Sequence, residues 1–226
     1  RGSVNAVTPV TPMDPMPRII IVDRPGATQT QLRVATIGAP RGAPDYYAIE
    51  LMNAVLGGMF SSRINMNLRE KNGYSYGTNS SFTFRRSPGP FQVAGGIRTD
   101  VTAPAVTEIF NEIAGMLKEP MGRDELQKSK DALANSLPGA FETSSSAVGS
   151  FSSVYTYDLG LDYYTRYAEQ VNAVTAEQAQ AVAAKYLQPS ALVVVAVGDR
   201  KLIDPELRKL NLGNVEIRDA DGNLIP

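Results

Sequence analysis

The chain has 226 residues, with 22 basic and 23 acidic residues, no histidine and no cysteine. A near-neutral balance with a pI of about 5.6 carries no electrostatic footprint for nucleic acid, so no nucleic-acid partner is expected. The two zeros exclude His/Cys zinc sites, haem and iron–sulfur ligation of the usual kinds, disulfides, and Ser–His or Cys–His nucleophile machinery.

Hydrophobic content of 43% and charged content of 20% fit an ordinary soluble globular protein. No apolar run approaches the ~18 residues that a membrane span needs. Absent disulfides leave the compartment open, since cytosolic proteins lack them and so do many larger secreted bacterial ones. Residues 1–17, with Pro9, Pro12, Pro15 and Pro17 among small side chains, read as an extended linker or arm. The chain has no initiator Met and no apolar signal region, and so reads as cut from something longer. Residues 18–226 are expected to form a single domain.

The globular pattern starts at Ile19-Ile20-Ile21-Val22, a buried strand stopped by Asp23-Arg24-Pro25-Gly26. Gln31 to Ile37 alternates as a second strand. Asp45 is an expected N-cap for a helix with Ala48, Leu51, Met52, Val55 and Met59 on one face, ended by Gly57-Gly58. Ser61 or Ser62 then caps a helix carrying Ile64 and Leu68 and stopping at Gly73. Tyr74, Tyr76, Thr78, Phe82 and Phe84 share one parity, which predicts a long strand. Ser87-Pro88-Gly89-Pro90 turns it into a partner strand with Phe91, Val93, Gly95 and Ile97.

Val106, Ile109, Phe110, Ile113 and Leu117 predict an amphipathic helix, and a second follows from about Asp124 until Pro138-Gly139. The Ser-rich stretch 143–160 reads as short helix or loop. Tyr163 to Val174 is helical, and Thr175-Ala-Glu-Gln178 is a capping box for a helix through Leu187. Leu192 to Val197 is an apolar strand of the buried kind, and a short strand and turn close the chain. Hairpins joined through helices predict an α+β fold: a mostly antiparallel sheet with helices packed on one face.

Most candidate chemistry dissolves on inspection. Asp219-Ala-Asp221-Gly-Asn223 lacks the Gly and Glu positions of a calcium loop and reads as a tight turn. The Ser clusters have no histidine base. Gly95-Gly96 lacks phosphate-loop spacing. Arg85-Arg86 reads as solvated. The segment 51–77, LMNAVLGGMFSSRINMNLREKNGYSYG, is different. Arg69 in a last helical turn is favoured by the helix dipole, and Tyr76 could be one more half-buried aromatic. Yet the two flank the Gly73 corner, and a guanidinium and a phenol can together hydrogen-bond a peptide carbonyl and its tetrahedral oxyanion.

This segment resembles the C-terminal half of the pitrilysin/insulinase family of zinc metallopeptidases, nearest its bacterial and mitochondrial-processing-peptidase branch. The residues that carry the likeness are Leu56, Gly57, Gly58, Phe60, Ser61, Ser62 and Arg63, then Leu68, Arg69, Glu70, Lys71, Gly73 and Tyr76. The stretches VDRPGATQTQL, AIELMNAVLGG, FQVAGGIRTD and ALVVVAVGD also fall where the family has them, so the likeness covers roughly residues 18–200.

The resemblance implies two similar α+β halves that enclose a chamber, in one chain or as two subunits. One half bears zinc on H-x-x-E-H plus a distal Glu; the other contributes an arginine and a tyrosine that hold the peptide and stabilise the tetrahedral intermediate. Arg69 and Tyr76 match that pair, and no residue here matches the zinc set. The implied partners are a peptide or unfolded polypeptide substrate and a zinc-bearing N-terminal domain or partner subunit, with the zinc held there and no cofactor in this chain. Two other expectations compete. One is a catalytically retired member with a structural or assembly role, like respiratory-complex core subunits. The other is an unrelated module that binds peptides along an exposed sheet edge.

Overall fold

A computed structural model of the protein describes residues 19–225; the proline-rich arm expected over residues 1–17 lies outside them. The strands are β1 (Ile19–Asp23), β2 (Gln29–Ile37), β3 (Ser75–Phe82), β4 (Pro90–Arg98), β5 (Val193–Gly198) and β6 (Val215–Arg218). The helices are α1 (Tyr46–Asn53), α2 (Arg63–Asn65), α3 (Thr102–Lys118), α4 (Arg123–Ser136), α5 (Ser144–Tyr157), α6 (Tyr163–Ala173), α7 (Ala176–Tyr186) and α8 (Arg200–Lys209).

The strands form one six-stranded sheet in the order β3-β4-β2-β5-β1-β6. Its pairs β3–β4, β4–β2 and β2–β5 are antiparallel, while β1 runs parallel to both β5 and β6. Register puts one parity of every strand on a common face. Ile19 and Ile21 stand beside Val194 and Ala196, these beside Val34 and Leu32, and these in turn beside Val93 and Gly95. Buried side chains of α1, α3 and α7 pack on that face, including Ile49, Leu51, Met52, Ile109, Ile113 and Ala183. The opposite face carries half-buried and polar groups, such as Arg33, which donates to Gln92 across the strands at 2.9 Å. The expected α+β layer is what forms.

Four local expectations need correction. Asp45 stands at the start of α1, but its carboxylate makes no cap bond there; it takes Lys185 at 2.8 Å and the Tyr186 hydroxyl at 3.2 Å. Ser62 holds the N-cap of α2 with extended backbone, yet its buried hydroxyl has no hydrogen-bond partner. The Ser-rich stretch forms a full helix, α5, because Thr143 and Ser146 close a capping box at its start. β5 is fully buried only at alternate residues, Val194, Ala196 and Gly198, with Val193, Val195 and Val197 half-buried. Helix α8 was not foreseen: Pro205 sits inside it and only Ile203 and Leu207 are buried. Its start is fixed by the Asp199 carboxylate, which accepts from Lys201 N–H at 3.1 Å and from Gly26 N–H at 2.9 Å.

A satellite core of Val154, Tyr163, Tyr167 and Val171 packs where α1 meets α5 and α6. The Arg41 guanidinium lies 3.6 Å from the Tyr46 ring centroid and 5.0 Å from that of Tyr163, a cation between two π faces. Burial pushes the nearby Glu50 carboxyl above the usual range, against the opposing pull of Arg41 and a hydrogen bond with Tyr46. A carboxyl raised in the folded state stabilises the fold below its unfolded pKa and loses that contribution as pH rises through the folded pKa. The stability of the native protein relative to Glu50→Gln therefore falls as pH rises from acid to neutral. Paired melting curves across that window check it; a constant difference rejects the assignment.

Candidate functional site

The site is built where α2 ends. The helix widens after Asn65 into a π-helical segment, Met66–Lys71, which carries Arg69. Its wider turns show in the bonds that close it: Asn72 N–H donates to the Asn67 carbonyl at 3.0 Å, and Tyr74 N–H to the Leu68 carbonyl at 2.7 Å. Gly73 makes this stop possible, because its φ of +62° is a region that side-chain-bearing residues rarely adopt. Leu68, at 0% exposure, plugs the segment into the main core. Single-turn π segments interrupting helices recur at functional sites because they re-aim the side chains around them.

Arg69 is only partly covered, with 41% of its side chain exposed. Its Nε lies 3.2 Å from Glu70 Oε1, and its guanidinium carbon stands 4.7 Å from the centroid of the Phe60 ring. Phe60 itself is 64% exposed. The guanidinium is thus held on a ring face, with donors left over for a ligand.

Tyr76 stands on the other side of the corner, and its parity is not what the pattern suggested. Thr78 and Ser80 face the helices and are buried, so an undisturbed pleat would send Tyr76 the same way. Instead Ser75 pairs with Ile97 and Thr78 with Gly95, leaving Tyr76 and Gly77 opposite the single Gly96. This is a β-bulge, which adds a residue to one strand and re-aims its side chains. Tyr76 consequently emerges 86% exposed, and among the described residues its hydroxyl has no hydrogen-bond partner. The bulge is accommodated across the sheet by Gly95, where a Cβ would come within 2.7 Å of Thr78 Oγ1 and 2.9 Å of the Gly77 carbonyl. The half-buried aromatic role considered for Tyr76 does not survive this geometry.

The structure therefore sets Arg69 and Tyr76 on the two limbs of one corner, without a hydrogen bond between them. Two side chains given no individual role by the sequence reading join them: Phe60, under the guanidinium, and Asn65, a buried amide beneath both. The aromatic Phe60 could have been noticed as a stacking partner; the burial of Asn65 had no local signal. Neither of two surface cavities of about 460 and 500 Å³ includes Arg69 or Tyr76 among its lining residues. The pair lies on open surface.

The free edges of the sheet bear on what this surface can do. Along β3, the Thr78 N–H is taken by Asn65 Oδ1 at 3.2 Å and the Ser80 carbonyl by Asn53 Nδ2 at 3.3 Å. Along β6, the C-terminal turn folds back, with Ile225 N–H donating to the Ile217 carbonyl at 2.8 Å. Covering an edge in this way removes the template that an added strand needs. The reading as a module that captures peptides by strand addition loses its footing here.

Zinc does not fit this chain. The sequence offers no imidazole or thiolate, and among the described residues no three carboxylates converge on one point. The Asp219 turn is closed internally: its Oδ1 accepts from Asp221 and Asn223 N–H at 3.0 and 2.7 Å. No helix among the described residues is long and apolar enough to cross a membrane.

Among solved structures, a peptidase M16 inactive domain from Pseudomonas fluorescens is 31% identical with a TM-score of 0.75, covering 83% of this chain and 45% of that one. A putative zinc protease from Bordetella pertussis Tohama I superposes at a TM-score of 0.63 with 13% identity, over 74% of this chain and 93% of that one. A chain of complex III2 from Candida albicans shares the fold at a TM-score of 0.70 and 11% identity, over 86% of this chain and 49% of that one. The match thus takes in less than half of the Pseudomonas chain. No curated protein matches it. The sequence profile of the peptidase M16 inactive domain matches residues 4–133, more than half of the chain and the whole of the Arg69–Tyr76 corner. On that match and the shared fold, the chain belongs to the peptidase M16 inactive-domain family.

Proposed function

We propose that this chain is the substrate-holding half of a zinc-dependent metalloendopeptidase, working against a facing domain or subunit that carries the zinc on an H-x-x-E-H motif. The observation that carries the proposal is the presentation of Tyr76. A phenol 86% exposed, lifted out of the pleat by a bulge and left without an internal partner, has no folding role that explains it. Beside it, Arg69 keeps donors free while its guanidinium plane rests on Phe60.

The chemistry follows from the donors. Arg69 donates to a carbonyl of an extended peptide and fixes its position. Tyr76 donates its hydroxyl hydrogen to the scissile carbonyl oxygen, where negative charge builds as the tetrahedral intermediate forms. Donors aimed at that oxygen lower the barrier because they favour the transition state over the bound substrate. The zinc belongs to the facing half, since this chain has no imidazole or thiolate to hold it, and the general base goes with the zinc-bearing motif. An open site outside the surface cavities suits a half that is completed by another surface.

The competing reading, a retired member with an assembly role, is not favoured by the site. The fold likeness to a complex III chain speaks to architecture alone, and an assembly role does not require a free phenol on a bulge.

Reconstitution decides between them. This chain alone, with peptides and zinc, is expected to give no cleavage; mixed with or fused to a zinc-bearing half it gives cleavage. Robust activity of the isolated chain, or none from any pairing with an intact H-x-x-E-H half, refutes the half-site reading.

A further inference from the structure

Beneath the Arg69–Tyr76 corner lies one buried amide. Asn65 is the last residue of α2, just before the π-helical segment, and is 5% exposed. Its Nδ2 donates to the Phe60 carbonyl at 2.7 Å, and its Oδ1 accepts from the Thr78 N–H at 3.2 Å. These two bonds fix the amide orientation, because a flipped side chain would set donor against donor and acceptor against acceptor. They reach the two limbs of the site. Phe60 is the ring on which the Arg69 guanidinium lies. Thr78 is the residue at which regular pairing resumes after the Tyr76–Gly77 bulge, and its hydroxyl meets the Ser75 hydroxyl at 3.0 Å across the base of the bulge.

Building on the half-site reading above, we propose that Asn65 is the positioning residue of this site: its single side-chain amide holds the Phe60–Arg69 stack and the Tyr76 bulge in fixed relation. It touches no substrate. The bulge leaves the Thr78 N–H turned away from β4, and no other side chain among the described residues accepts from it. The Phe60 loop has its own link to α2 in the Ser62 N–H bond to the Met59 carbonyl; Asn65 ties that loop to the bulged end of β3, while Asn53 binds Ser80 further along the strand. Arg69 and Tyr76 act on one peptide only if their separation is fixed. A displacement of about 1 Å in a positioning contact can cost on the order of a hundredfold in rate.

The test uses the complete protein with its zinc-bearing half and four variants, three single ones and the Asn65→Ala/Tyr76→Phe double. Asn65→Ala removes both bonds. Asn65→Asp keeps an acceptor for Thr78 but sets an oxygen against the Phe60 carbonyl. Tyr76→Phe removes only the phenol hydroxyl. Amide hydrogen exchange at Thr78 is expected to quicken about tenfold in Asn65→Ala, as for a lost hydrogen bond, and to stay unchanged in Tyr76→Phe. Turnover in Asn65→Ala should fall about tenfold to a hundredfold, and much less when Tyr76→Phe is already present. Asn65→Asp should raise KM through the loosened Arg69 limb and spare kcat.

Additive losses in the double variant, or unchanged Thr78 exchange, overturn the positioning role while leaving Arg69 and Tyr76 in place. A lower melting temperature with normal kcat and KM does the same, since it marks a merely structural amide. Full turnover in Tyr76→Phe overturns the half-site reading itself, and with it any role for Asn65 in turnover.

Discussion

On the half-site reading proposed above, replacing Tyr76 by Phe in the protein paired with a zinc-bearing half is expected to lower peptide turnover by about 10²–10³-fold, the usual effect of removing one donor to a developing oxyanion. The melting temperature of this domain should not move. Both expectations come from the same geometry. The hydroxyl has no partner among the described residues and the ring is 86% exposed, so folding loses nothing, and exposed substitutions of this kind stay within about 0.5 kcal/mol. On the proposed role the loss should appear in kcat more than in KM, because an oxyanion carries its charge only on the way to the intermediate. Arg69→Ala is expected to differ, raising KM as well, because a guanidinium on a peptide carbonyl already binds the ground state. Steady-state kinetics on a fluorogenic peptide separate the two. Wild-type turnover in Tyr76→Phe would falsify the assignment.

Leu68→Ala should be the more damaging change to the fold. Leu68 is fully buried in the main core and directly precedes Arg69. Truncating such a side chain costs about 2–5 kcal/mol, the lost transfer free energy plus the cavity left behind. Helix packing on both sides restrains collapse into that cavity, because Ile64, Val106 and Ile109 of the same core are themselves fully packed. The Leu68 carbonyl also accepts the Tyr74 N–H that closes the corner, so the Arg69 limb loosens together with the core. Denaturant unfolding of Leu68→Ala, with Leu202→Ala as an exposed control at 58% exposure, measures the difference. Equal stability of the two variants would reject the packing argument.

These two expectations show how unevenly the molecule could be read in advance. Residues acting on near neighbours were legible. The Thr175–Gln178 capping box, the stop at Gly73 and the alternation of β2 each depend on contacts a few residues apart, and each stands as anticipated. The one-sided α+β layer followed from the same local signals taken in order. Helix α8 escaped because its evidence is thin locally: two buried residues, an internal proline and a cap from Asp199 whose worth depends on a turn far away in sequence. Asp45 misled for the complementary reason, since its carboxylate found Lys185 and Tyr186 more than a hundred positions downstream.

The candidate site divides along the same line. Arg69, the Gly73 corner and Tyr76 were visible as residue types at a spacing, and the absence of histidine and cysteine already excluded a zinc site of the His/Cys kind. Parity, however, placed Tyr76 on the face of Thr78. What turns it outward is the bulge, and the bulge exists because Gly95, in another strand, leaves room for it. The amide of Asn65 beneath the corner and the closure of the β3 edge by Asn53 and Asn65 have the same character. Sequence alone determined which chemistry the chain can offer and where the helix must stop, because side-chain inventory and backbone propensity are local. Only the tertiary structure decided which way the phenol points and what holds it there, because strand register and buried polar pairing are settled between residues that meet only when the chain has folded.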